Sequence, residues 1–215
     1  MNKRNRLART SYAVRMSHWL MVICFFLVSM SGLSWFFPSL NWLNNLLGGP
    51  QLARILHPFL GVAIFVFLLY MFFRLVRYNL PEKGDGRWFS NAGKVMKGQH
   101  VEELDTGKYN AGQKVLFWGI MGLITLLLIS GVMIWRPWFA PLFSIPLIRI
   151  GLLVHALAGV LLMLLIIGHI YLAFWVKGSV DSMSSGYVSR KWARKHHPRW
   201  YRDVTGDTTT RKEHS

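Results

Sequence analysis

The chain has 215 residues, of which 53% are hydrophobic and 16% charged, and its apolar residues come in blocks long enough to span the roughly 30 Å hydrocarbon core of a bilayer. Its single cysteine, Cys24, excludes both an internal disulfide and a cysteine-ligated iron–sulfur cluster held by this chain. The formal charge of +16 lies on the flanks of the apolar blocks with no nucleic-acid-binding module beside it, so it reads as membrane topology and attraction to anionic lipid.

In chain order, a basic arm (Lys3, Arg4, Arg6, Arg9, Arg15) leads into a first apolar span near residues 16–37. A basic stretch before an apolar run also describes a signal peptide. Here the run is long, is interrupted by His18 and has no clear small-x-small cleavage site, so it is expected to stay as a helix. A second span covers residues 53–73 and holds His57; a polar loop follows over 74–114. The third span is 115–135, and the fourth, 151–176, carries both His155 and His169 ahead of a basic tail over 177–215. Backbone polar groups find no water in lipid, so such spans pair their own groups as helices. The expected fold is all-α: one integral membrane domain over 1–215, built as a four-transmembrane-helix bundle.

Lys and Arg counts orient the bundle. The arm has five, the loop from Arg74 to Lys114 eight and the tail from Lys177 nine; Phe37 to Arg54 has only Arg54, and Arg136 to Arg149 only its two ends. Both termini and the 74–114 loop are therefore expected in the cytoplasm of a bacterial inner membrane.

An imidazole in hydrocarbon is costly and calls for a partner. His155 and His169 are fourteen residues apart, which on a helix returns to within about 40° of the same face some 21 Å further along. The topology puts His18 near the cytoplasmic surface and His57 near the opposite one, while the fourth span has His155 early and His169 late. Depth thus pairs His57 with His155 and His18 with His169. A lone membrane histidine is usually a packing residue; four at two matched depths point to metal or haem. Each depth offers only two imidazoles and no nearby cysteine or carboxylate, which suits bis-histidine haem better than a tetrahedral ion. Gly32, Gly61, Gly131, Gly159 and Gly168 lie within the spans, where small residues either leave room for a macrocycle or let helices pack closely. The lack of a C-x-x-C-H motif makes any haem non-covalent. His100, His196, His197 and His214 lie in polar sequence and are expected to be solvated rather than ligands.

Several runs are distinctive: R-M-S-H-W-L at Arg15–Leu20, P-Q-L-A-R-I-L-H-P-F at Pro50–Phe59, D-T-G-K-Y-N-A-G-Q-K at Asp105–Lys114, S-G-V-M-I-W-R-P at Ser130–Pro137, W-V-K-G-S at Trp175–Ser179 and K-W-A-R-K-H-H-P-R-W-Y-R at Lys191–Arg202. Through them the chain closely resembles the gamma subunits, dihaem b-type cytochromes, of bacterial respiratory formate dehydrogenases. That resemblance implies two haems b on His18, His57, His155 and His169, paired as above. It also implies an iron–sulfur (beta) partner, a catalytic molybdenum or tungsten (alpha) partner that oxidises formate in the periplasm, and a trimer of such three-subunit units. Electrons would pass from the His57/His155 haem to the His18/His169 haem and on to menaquinone or another quinone, reduced at the cytoplasmic side.

The resemblance places the quinone at Asn110, Gly112 and Gln113, with His169. Amides can bond the quinone carbonyls, and Gly112 would let the ring approach the backbone. Asn110 followed three residues later by Gln113 is also a capping-box spacing, and a mixed role is expected. Arg54 and Arg136 either meet haem propionates or partner acids, or snorkel to the interface. The tryptophans near the span ends read as an interfacial belt. The haem-b subunit of a nickel–iron hydrogenase or thiosulfate reductase would share the four-helix plan, but is not expected to carry the tail and the Asp105–Lys114 run together. A non-redox scaffold would require all four histidines to be packing residues.

Overall fold

The computed structural model describes residues 5–96 and 104–207. It is helical apart from one small sheet. After strand β1 (Arg6–Ala8) come α1 (Tyr12–Phe36), a 3-10 segment (Pro38–Leu47), α2 (Pro50–Leu75), the short helices α3 (Asp85–Ser90) and α4 (Ala92–Met96), and α5 (Ala111–Ile134). Then follow α6 (Ile145–Trp175), α7 (Asp181–Ser184), β2 (Tyr187–Ser189), α8 (Arg190–His196) and α9 (Pro198–Thr205). Four segments are long and apolar enough to cross a membrane: Tyr12–Phe36, Pro50–Tyr78, Ala111–Ile134 and Ile145–Trp175. Each starts about a turn ahead of its apolar run, because intrahelical hydrogen bonding continues into polar sequence and prolines are tolerated in a first turn, as at Pro50.

The chain falls into two compact units. One comprises Met16–Arg74 and Trp118–Tyr171, the apolar bodies of α1, α2, α5 and α6. Side chains such as Ile23, Val66, Leu164 and Ile167 point outward, as lipid-facing positions do. Its helices meet through specific side chains: Phe59 of α2 edge-on to Trp135, Phe72 of α2 to Trp118 of α5, and Gly151 of α6 against Met133 and Ile134. The turn between α1 and α2 closes on Gly48, whose φ of 82° a side chain would resist; buried Asn44 ties it down through Asn41 and Ser34.

The other unit gathers Met1–Arg15, Leu75–Phe117 and Leu172–Ser215. Strand β1 pairs antiparallel with β2, Leu7 facing Val188. Leu7, Val188, Ala193, Trp200 and Tyr201 form a core with Trp192 against it, so the basic aromatic tail is a packed element here. Arg9, 6% exposed, has its guanidinium over the rings of Tyr109, Trp192 and Trp200 and donates to the carbonyl of Lys108. The expectation that His197 is solvated is overturned: it is 1% exposed. The tail folds back on β1 and seals the ring between Arg9, 3.2 Å from Nε2, and the Gly107 carbonyl, 2.8 Å from Nδ1. Desolvation first, then the Arg9 charge, hold its pKa well below 6.5, so the neutral ring donates from Nδ1 and accepts at Nε2. His196 is half-buried, and His100 and His214 lie outside the described residues.

Candidate functional site: paired imidazoles inside the helical bundle

All four intramembrane histidines belong to one unit. His57 of α2 and His155 of α6 face each other with ring centres 6.2 Å apart and planes at 55°. Two metal–imidazole bonds of about 2 Å each, plus the ring radii, span roughly 6 Å, so the separation suits a single metal ion between the rings. Ser31 Oγ, 0% exposed, gives its one proton to the Val28 carbonyl 2.8 Å away, so it accepts the Nδ1–H of His57 at 2.7 Å. Ser130 Oγ likewise donates to the Leu126 carbonyl at 2.7 Å and accepts from His155 Nδ1 at 3.1 Å. In both rings the Nδ1 bond fixes tautomer and orientation and leaves the Nε2 lone pair available to a metal. Trp35 packs against His57, with ring centres 4.9 Å apart. Pro58 follows His57 inside α2 and removes one backbone donor from the ligand-bearing turn.

The other two histidines of this unit are His18 of α1 and His169 of α6. His18 meets Trp19 edge-on, and its Nδ1 is buried without a hydrogen-bond partner among the described residues. A buried ring nitrogen in that state is costly unless something else meets it, and a metal is one such partner.

A haem fits this donor set. Among the described residues no group of three or more His, Cys, Asp or Glu gathers to hold a bare ion, whereas His57 and His155 stand face to face as two. A Cβ on Gly131 would lie 3.2 Å from His155 Cε1, and one on Gly32 4.0 Å from His57 Cε1, so these two glycines border the imidazoles. Gly61, Gly159 and Gly168 have open space where a Cβ would stand. The two serines are the residues that sequence reasoning missed. Their signal was present in the spacing, since Ser31 is one residue from Gly32 and Ser130 one from Gly131, but a serine in an apolar helix more often bonds its own backbone.

Asn110, Gly112 and Gln113 stand at the first turn of α5, in the other unit. The capping box is formed: Gln113 Oε1 accepts from Asn110 N–H at 3.0 Å, and Asn110 Oδ1 from Gln113 N–H at 2.9 Å. Both amide oxygens are thereby used, and both NH2 groups remain as donors. The space beside Gly112 is filled by Trp88 of α3, whose ring would lie 2.6 Å from an added Cβ, so the ring against this backbone is an indole. Next to it Lys114, 5% exposed, holds Asp85 at 3.0 Å and Glu82 at 3.4 Å.

Four helices long and apolar enough to cross a membrane, with two imidazoles face to face among them, point to a membrane cytochrome b. The chain belongs to the prokaryotic cytochrome b561 family, whose model matches residues 9–186. Among its relatives, the nitrate-inducible formate dehydrogenase cytochrome b556(Fdn) subunit of Escherichia coli strain K12 is 53% identical over 204 residues, 95% of this chain and 94% of the relative. The formate dehydrogenase cytochrome b556(fdo) subunit of the same strain is 48% identical over 213 residues, covering 99% and 100%. The formate dehydrogenase cytochrome b556 subunit of Haemophilus influenzae is 44% identical over 198 residues, covering 92% and 83%.

Proposed function

We propose that the chain is the membrane cytochrome subunit of a respiratory formate dehydrogenase, carrying electrons from an iron–sulfur partner at the periplasmic face to a quinone, such as menaquinone, reduced at the cytoplasmic face. The observation that carries the reading is the pairing of His57 with His155 at 6.2 Å, each held through Nδ1 by a serine. Near-full-length relatives named as formate dehydrogenase cytochrome subunits supply the complex.

Two haems b, when bound, would supply two one-electron carriers. His57 and His155 would hold one haem and His18 and His169 the other, while Ser31 and Ser130 keep the first pair in the tautomer that offers Nε2. The NH2 groups of Asn110 and Gln113 donate to quinone carbonyls from the turn that they cap, and the quinone ring there meets Trp88. These residues form the proposed quinone site. By parity of the spans, α5 enters the membrane at the face where α6 leaves it, the face of His169. The Lys and Arg distribution supports cytoplasmic termini in an inner membrane. Two electrons crossing against the membrane potential then conserve energy at about 2.3 kcal/mol per charge per 100 mV. The partners proposed are the iron–sulfur subunit, a molybdenum or tungsten catalytic subunit oxidising formate, and further copies in a trimer of such units, with residues 1–215 working as one membrane domain.

The test is purification of the intact complex with haem counting and a formate-to-quinone assay. Two non-covalent haems b per chain and quinone-dependent formate oxidation are expected. Haem-free chain, or haem-loaded complex unable to pass formate electrons to quinone, would overturn the reading.

A further inference from the structure

Within the unit that carries the four histidines, Arg54 and Arg136 line one open cavity of about 720 Å3 together with Ser34, Trp35, Asn41 and Leu152. Arg54 and Leu152 lie three residues, about one helical turn, before His57 and His155, and Trp35 is the ring packed on His57. The cavity therefore begins where the paired imidazoles end.

This unit has no acid with which to balance them. All nine Asp and Glu residues of the chain fall outside Met16–Arg74 and Trp118–Tyr171. Two exposed arginines that line one cavity at the border of the hydrocarbon thus place two positive charges there with no acid of the same unit to balance them, a place for an anion supplied from elsewhere. Snorkelling would send each guanidinium separately to the interface, which does not account for their sharing one wall. The guanidinium fork matches a carboxylate with two parallel hydrogen bonds.

We propose that Arg54 and Arg136 form a carboxylate clamp for the propionates of the haem held by His57 and His155, anchoring the macrocycle and raising the reduction potential of that iron. The clamp rests on the reading of His57 and His155 as haem ligands. A cation close to the iron favours the form with one more electron, so its removal lowers the potential of that haem and leaves the other unchanged. Arg149 is an exposed arginine of the same unit that does not line the cavity, and it serves as the control.

The experiment uses the intact complex, with R54Q, R136Q, the double variant, R54K, R136K and R149Q. Haems per chain are counted, and the potentials of both haems are measured by optical redox titration, a readout independent of formate and quinone turnover. The expected result is a downward shift for one haem in each Gln variant, larger in the double, with the Lys variants and R149Q near the unchanged protein. Loss of that haem in the Gln variants but not in the Lys variants supports the clamp equally; loss in the Lys variants too overturns it, since charge was then not what mattered. In membranes containing haem-depleted chain, haem is expected to load several-fold better than haem dimethyl ester, and the double variant to abolish that preference. Unchanged potentials in the double variant overturn the clamp. If the partner subunits then dissociate, the carboxylates are the partner's; if stability then follows anionic lipid content, the anion is a lipid phosphate. Normal haem behaviour without quinone reduction would leave the clamp intact and remove the proposed function.

Discussion

Ser31 Oγ stands 2.7 Å from His57 Nδ1 and spends its only proton on the Val28 carbonyl, so the serine is an acceptor for the imidazole. One hydroxyl on α1 thereby sets the tautomer of the His57 imidazole on α2, and Ser130 of α5 does the same for His155 of α6. Replacing such an outer-shell partner costs about 10–100-fold in metal affinity or activity. Ser31→Ala and Ser130→Ala are expected to weaken retention of one haem by that order and to leave the other spectrally unchanged. Haem counting after detergent washing is the check; equal loss of both haems would show damage to the bundle instead.

The pairing itself is tested by four alanine variants. His57→Ala and His155→Ala are expected to abolish the same haem, distinguished by its low-temperature α-band or its potential. His18→Ala and His169→Ala are expected to abolish the other. Spectrally different haems lost from His57→Ala and His155→Ala would break the pairing.

Glycines offer a steric version of that test. At Gly131 an added methyl carbon would lie 3.2 Å from His155 Cε1, so the ring must yield by a few tenths of an ångström. At Gly32 the corresponding distance to His57 is 4.0 Å, ordinary contact. Gly131→Ala is expected to shift the potential or reduce the occupancy of the His57/His155 haem, and Gly32→Ala to leave it near normal. The opposite ranking would place the imidazoles differently.

Because the capping box at Asn110 and Gln113 is formed, each residue is expected to have two separable effects. Asn110→Ala should cost about 0.5–2 kcal/mol of helix stability as a lost cap. It should also slow reoxidation of formate-reduced haems by a menaquinone analogue, with haem reduction by formate at its normal rate. Asn110→Ser keeps a capping oxygen and removes the amide donor, so it is expected to regain stability and not reoxidation. Normal reoxidation in Asn110→Ala and Gln113→Ala, measured by stopped-flow absorbance, would leave both residues as caps.

His197 carries a pH dependence of known sign. Burial and Arg9 hold its folded pKa well below the 6.5 of an ordinary histidine, and His196 is lowered by burial, Lys195 and Arg9 in the same direction. The unfolded chain therefore takes up the proton first. Stability present above about pH 6.5 is expected to fade as pH falls toward the lower folded values. Melting temperatures of the complex at pH 7.5 and 5.5 check this, and His197→Gln is expected to flatten the difference.

Spans, charge asymmetry and histidine depth were legible in the chain because each depends on local quantities: the length of an apolar run, the sign of its flanks, and the position of an imidazole along one helix. The sequence by itself thus determined a helical membrane protein with imidazoles at two levels. Contacts across helices are not local. Neither spacing nor composition shows that Ser31 accepts from His57, that Trp88 fills the space beside Gly112, or that Arg54 and Arg136 share one cavity. His197 and Arg9 make the same point: the one reads as a solvated histidine in a basic run and the other as part of a basic arm, and only the return of the tail onto β1 buries them. Tertiary structure decided this, because burying a polar group requires partners from distant parts of the chain, here Gly107, Lys108 and three aromatic rings, which become neighbours only once the unit has folded.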